Sequence, residues 1–221
     1  MQNEPSHSEF RLAGLWQSLG GTFDCRIFAR ILLRRYDEPH RAYHNLDHIT
    51  ECLEELDDIS DPNFQPVFPK LMELAIWYHD AVYDTKRKDN EEQSSKLCLF
   101  DCQNLDLPLA EEISKHLHHL IMATKHSDPP LDLDGQIIVD IDLARLGYPP
   151  EHFLKFGDQI AFEFSEKHSG YTADQYRIGR KKFLVSMLNR DRIYHTDYFF
   201  NKYETQARIN LAEGIRRLNA P

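Results

Sequence analysis

The chain has 221 residues, with 36 acidic against 26 basic and a formal charge of −10, a balance that argues against a nucleic-acid polymer as partner. No run of about 18 apolar residues occurs, so no segment is expected to span a membrane, and the polar stretch Met1–Phe10 has no apolar signal-peptide core. Four cysteines (Cys25, Cys52, Cys98, Cys102) lack zinc-ribbon spacing and read as buried reduced thiols, which together with the rest predicts a cytoplasmic, single-domain protein.

Helical periodicity opens at residues 8–19, with Phe10, Leu12, Leu15 and Trp16, and continues at 23–36, with Phe23, Ile27, Ile31 and Leu32. Pro39 closes that pair, and Asn45 is placed to cap a helix from about Leu46 to Ile59, followed by a loop marked by Pro62, Pro66 and Pro69. Lys70–Tyr83 is apolar all round and predicts a central buried helix. Helices are expected next over Asn90–Leu105 and Pro108–Lys125, with the proline at the start. Residues 135–146 follow, ending at Gly147, and the chain restarts after Pro149 and Pro150 into 151–167, 172–189 and 197–219. Nine glycines, no Asn-Gly or Asp-Gly hairpin signal and no internal repeat or evident linker predict one all-α domain.

Twelve histidines are the compositional feature that points to chemistry. His79-Asp80 ends the most apolar helix, where an imidazole and a carboxylate are costly unless paired or metal-bound. By chance alone 12 histidines and 20 aspartates supply about one such dipeptide, so its context has to carry the argument. His44 and His48 flank the predicted cap Asn45, and both are able to face one site; imidazole with carboxylate suits Zn, Mn or Fe. Asp140 and Asp142 sit in an apolar stretch. Two apart on a helix, they point in different directions, so one can reach a metal while the other orients a ligand or caps a neighbouring turn.

Taken in order, His44-Asn45-x-x-His48, Trp77-Tyr78-His79-Asp80-Ala81-Val82-Tyr83-Asp84, Asn90-Glu91-Glu92-x-Ser94, Ala123-Thr124-Lys125-His126 and Asp140-x-Asp142-Leu143 resemble the HD-domain superfamily of metal-dependent phosphohydrolases. The resemblance is to a bacterial HD subfamily of about this length, and it extends through Tyr176-Arg177-x-Gly179-Arg180, Arg192-Ile193-Tyr194 and Gln206-Ala207-Arg208-x-Asn210-Leu211. It implies a single HD-type helical bundle, with a metal-binding helical core over about 23–146 and a C-terminal helical extension over about 150–219 packed on it. It also implies metal ligands His48, His79, Asp80 and Asp142, with His44 as general acid and Asp140 behind the ligands. It implies a small phosphorylated substrate, with a nucleotide as the leading example. Candidate contacts are Asn45; His126, which matches the family motif, as a second ligand or phosphate donor; and Lys125, which binds phosphate or complements the helix dipole. Glu91 is a further candidate, as a ligand, base or substrate acceptor, or else part of a solvated helix start. Arg177 and Arg180 are a bidentate phosphate clamp or a surface ion pair with Asp174 or a neighbouring helix. Asp84, one turn past Asp80, is a candidate to orient or deprotonate the attacking water, or a surface acid at a helix end.

Some HD enzymes hold two metals through histidines downstream of His-Asp, but residues 90–95 contain none, so one divalent ion (Mn, Fe, Zn, Co or Mg) is expected rather than two. His116, His118 and His119 read as solvent-facing or core-edge residues, and Phe153, Phe156, Phe162 and Phe164 as packing. Two other functions stay open: a di-iron oxygenase on the same fold, and a non-catalytic metal- or nucleotide-binding module. A homodimer is open as well.

Overall fold

The computed structural model describes residues 6–21 and 24–219; Phe23 and the first five residues of the polar N-terminal stretch lie outside the described residues. Among the described residues the chain is all-α, with no strand. The helices are α1 (His7–Ser18), α2 (Cys25–Tyr36), α3 (Leu46–Asp57), α4 (Pro69–Tyr78), α5 (Asn90–Asn104), α6 (Glu111–Ala123), α7 (Leu133–Leu143), α8 (Pro150–Glu163), the single turn α9 (Glu166–Ser169), α10 (Ala173–Leu188) and α11 (Asp197–Leu218). A 3-10 turn over Ala144–Gly147 continues α7. No described helix is long and apolar enough to cross a membrane.

The core forms around α4. Leu71, Met72, Leu74, Ala75, Ile76, Trp77 and Tyr78 are all buried, and α1, α3, α5, α6 and α7 pack around them. Each large apolar side chain buried this way contributes about 1.5–3 kcal/mol, which outweighs a helix only ten residues long. Helix α7 is nearly as apolar: Ile137, Ile138, Val139, Ile141 and Leu143 are buried, a β-branched run that becomes helical because the surrounding layer is helical. The C-terminal part joins through α11, which packs on α10, on α8 and across the 3-10 turn. All four cysteines are buried and free.

Several boundaries shift by two or three residues, α6 for one starting at Glu111 rather than at Pro108 and α3 ending at Asp57 rather than Ile59, and three differences have a visible cause. Helix α4 stops at Tyr78 rather than Tyr83, because partners outside the helix take the backbone beyond it. The Arg41 guanidinium donates to the carbonyls of Asp80 (2.6 Å) and Ala81 (3.2 Å), and the Ser94 hydroxyl accepts from Val82 N (3.0 Å). The expected helix 151–167 breaks after Glu163, where Ser169 Oγ donates to the carbonyls of Phe164 and Ser165. Gly147 is not a left-handed helix cap; it is required by close approach, since a Cβ there would lie 2.5 Å from Tyr203 Cβ.

Candidate metal centre

Four side chains converge where α3, α4 and α7 meet. Asn45 caps α3, its Oδ1 accepting from Asp47 N (2.9 Å) and His48 N (3.4 Å), which sets His48 in the first turn facing inward. His79 is the C-cap of α4 and Asp80 follows in the turn, so ending the helix there lets consecutive residues reach one point. Asp142 comes from the last turn of α7. His48 Nε2 lies 3.2 Å from His79 Nε2, 3.2 Å from Asp142 Oδ1 and 3.5 Å from Asp80 Oδ2. His79 Nε2 is 3.2 Å from Asp80 Oδ2 and 3.6 Å from Asp142 Oδ1. Ligands held at about 2.1 Å from one cation lie about 3.0–3.4 Å from each other in octahedral to tetrahedral arrangements, so these separations fit a metal at the centre.

The tautomer fits too. His79 Nδ1 donates to the Ile76 carbonyl at 2.9 Å, which leaves the Nε2 lone pair pointing into the cluster, the orientation that outer partners give metal-binding histidines. Both histidines are buried, and the carboxylates are each 16 % exposed toward a cavity. Burial opposes an imidazolium at His79, yet Asp80 and Asp142 raise its pKa well above the usual value. Burial likewise opposes charge on Asp142, but His126, His48 and His79 hold it well below the ordinary carboxylate range. Cys52, one turn past His48, places Sγ 3.7 Å from His48 Nδ1 and offers a second donor set, His48, Cys52 and Asp142.

Asp140 turns away from this cluster. Buried completely, it accepts from His195 N (2.7 Å), Thr196 N (2.8 Å) and Thr196 Oγ1 (2.7 Å), tying α7 to the start of α11. Burial pushes its carboxyl up to about 6 against the pull of those donors. Asp140→Ala would strand the two amides, and we expect it to cost about 3 kcal/mol and lower Tm by roughly 10 °C. Thermal unfolding with metal analysis checks this: Tm falls, and metal content at low temperature stays at the wild-type value.

His44, its ring centroid 6.1 Å from that of His48, stands beside a residue that the sequence does not single out. Glu163, fully buried at the end of α8, accepts from Ala42 N (2.8 Å), Tyr43 N (2.7 Å) and His44 N (2.9 Å) through Oε1. Its Oε2 meets His44 Nδ1 at 2.6 Å and the Tyr83 hydroxyl at 2.9 Å, and the Tyr83 ring stacks on His44 with centroids 4.0 Å apart. Burial opposes charge at both groups; even so, Glu163 falls to about 2, held there mainly by His44, while Glu163 and Asp80 raise His44. The signal in the sequence is one acid inside Ile160-Ala161-Phe162-Glu163-Phe164, too weak to identify a partner 119 residues away. Arg41 was also missed: it joins the His44 carbonyl to those of Asp80 and Ala81, locking together the two loops that carry the site.

A cavity of about 560 Å³ opens beside the cluster, lined by His44, Asp80 and Asp142 together with the sequence candidates Glu91, Lys125, His126 and Arg180. His126, with φ at 55°, brings Nε2 to 2.8 Å from Asp142 Oδ2 and leaves a buried Nδ1 without a partner. Lys125 bonds Glu92, and burial raises the Glu91 carboxyl. Three candidates are not brought to this cavity. Asn45 caps α3, Asp84 accepts from Lys86 N (2.9 Å), and Arg177 is exposed against Asp174 (3.0 Å). His116, His118 and His119 lie outside it as well, partnered by Asp134, Ser95 and Asp132. Of the phenylalanines expected in packing, Phe153 is buried and Phe162 exposed, while Phe156 and Phe164 line the cavity. Comparison with protein-family models, curated proteins and solved structures gave no match.

Proposed function

We propose that the chain is a metal-dependent phosphohydrolase acting on a small phosphorylated molecule, with nucleotides the leading class, and that His48, His79, Asp80 and Asp142 hold one divalent cation. This is the reaction class implied by the resemblance to the HD-domain superfamily. The supporting observation is a pairing: a four-donor cluster with cation spacing and a carboxylate-held imidazole open on the same cavity. A divalent cation there would supply polarised phosphoryl oxygens and a lowered pKa for the attacking water.

The chain's own groups do the rest. As the water oxygen bonds to phosphorus and the bond to the leaving oxygen breaks, His44 Nε2 gives its proton to that oxygen. Glu163 keeps Nδ1 protonated and the ring fixed, and Tyr83 prevents it from tilting. Glu91, a carboxyl with raised pKa on the cavity wall, is the candidate acceptor for the water's proton. His126 orients Asp142 through its free oxygen, so a second ion would have to displace that contact.

The test is a screen of phosphomonoesters, phosphoanhydrides and phosphodiesters with Mn, Fe, Zn, Co and Mg. Metal-dependent phosphate release or diester cleavage, lost in His79→Ala, is the expected result. Two irons per chain with oxygen consumption and no cleavage of any ester would replace this reading with the di-iron oxygenase. One bound ion with neither activity would leave the non-catalytic module.

A further inference from the structure

The cavity is larger than a phosphate group needs, and its size of about 560 Å³ suits a whole small organic molecule. Away from His44 and the carboxylates its wall becomes apolar and aromatic, through Phe156, Ile160, Phe164, Tyr176 and Phe183. One cation is set into that wall. The Arg180 guanidinium carbon lies 4.8 Å from the Phe156 ring centroid and 5.2 Å from that of Phe183. Aromatic rings satisfy a guanidinium face and leave its in-plane N–H edges for another partner.

No such partner comes from the described residues. The other cavity cations are committed, Lys125 to Glu92 and Arg145 to Glu51, whereas Arg180 pairs with no carboxylate. Burial lowers its pKa, and the groups acting on it are Tyr176, Tyr43 and Tyr83. A half-buried guanidinium that faces a cavity with no counter-charge keeps its in-plane donors available to an anion in that cavity. Its donor geometry suits a carboxylate or a phosphate, which it grips with two parallel hydrogen bonds.

We propose that Arg180 binds a second oxyanion of the substrate, so that the preferred substrate is a phosphate ester whose body is apolar or aromatic and carries a carboxylate or another phosphate. The reacting end of this statement rests on the phosphohydrolase reading; the oxyanion subsite does not. Arg180 acts on binding, so its effect belongs in KM rather than kcat.

Two measurements on the full metal-loaded chain separate the parts. In calorimetric titrations, benzoate is expected to bind at least tenfold more tightly than its neutral isostere benzamide, a preference lost in Arg180→Gln and partly kept in Arg180→Lys. In hydrolysis, 4-carboxyphenyl phosphate against phenyl phosphate, and a nucleoside 3′,5′-bisphosphate against its 5′-monophosphate, tell a carboxylate from a phosphate as the group Arg180 takes. At least one pair is expected to show a tenfold gain in kcat/KM that enters through KM and vanishes in Arg180→Gln. An Arg180-dependent benzoate preference without any hydrolysis keeps the subsite and removes the phosphohydrolase reading. Hydrolysis with no benzoate preference, or with a preference that survives Arg180→Gln, overturns the subsite and leaves the reaction class standing.

Discussion

Replacing His79 or Asp142 by alanine is expected to lower metal affinity by more than the roughly 10–100-fold that loss of an outer partner costs, and activity by at least about 10³-fold. Each residue supplies one of the donor atoms spaced 3.2–3.6 Å apart, so its loss opens the cluster and leaves fewer donors at that spacing. A pH dependence follows from the same geometry. Without metal, His79 is held protonated well above its ordinary 6.5 by Asp80 and Asp142 against the cost of burial. A ligand imidazole must be neutral, so binding releases about one proton near neutral pH, and apparent affinity rises with pH until His79 titrates. Calorimetry in buffers of different ionisation enthalpy counts that proton. Tm measured with a chelator separates loss of metal from loss of fold.

Glu163→Gln is expected to reduce activity by about 10²–10³-fold while the protein stays folded. The amide oxygen can still accept from the amides of residues 42–44, but the charge that keeps His44 protonated is gone. The alkaline limb of the rate profile should therefore move to lower pH, which loss of packing alone would not do. Glu163→Ala is harsher, since stranding those amides and the imidazolium costs about 3–5 kcal/mol. The sign of the stability effect follows from the shifts. Glu163 drops from 4.5 to about 2, so its contribution is complete above 4.5 and fades as pH falls toward 2. His44 is raised, so its share is complete below 6.5 and disappears as pH rises through the raised value. The pair stabilises most between 4.5 and 6.5, and comparing the wild-type and Glu163→Gln unfolding curves across that window measures it.

Local signals were legible in the sequence and long-range ones were not. Asn45 announces a cap by residue type, and the structure uses it as one. The apolar run before His79-Asp80 announces a buried helix and so exposes the anomaly at its end. The point where α4 ends depends on Arg41, which is 39 residues upstream of the carbonyl it captures and carries no local mark. Glu163 is hidden for the same reason, sitting among phenylalanines on a helix that meets His44 only in the folded chain. Asp140 and Asp142 were separable in principle by helical direction, but which of them faces the histidines depends on α11 supplying donors at residues 195–196. Arg177 and Arg180, one turn apart, diverge because the cavity edge passes between them: one pairs with Asp174 in solvent, the other meets Phe156 and Phe183.

The central claim is the ligand set, and X-ray absorption on the zinc- or cobalt-loaded protein tests it most directly. Two imidazole nitrogens and carboxylate oxygens at about 2.0–2.2 Å, with one ion per chain, are the result expected from His48, His79, Asp80 and Asp142. A sulfur at about 2.3 Å would move the site to Cys52, and an ion bound without imidazole would contradict the account outright.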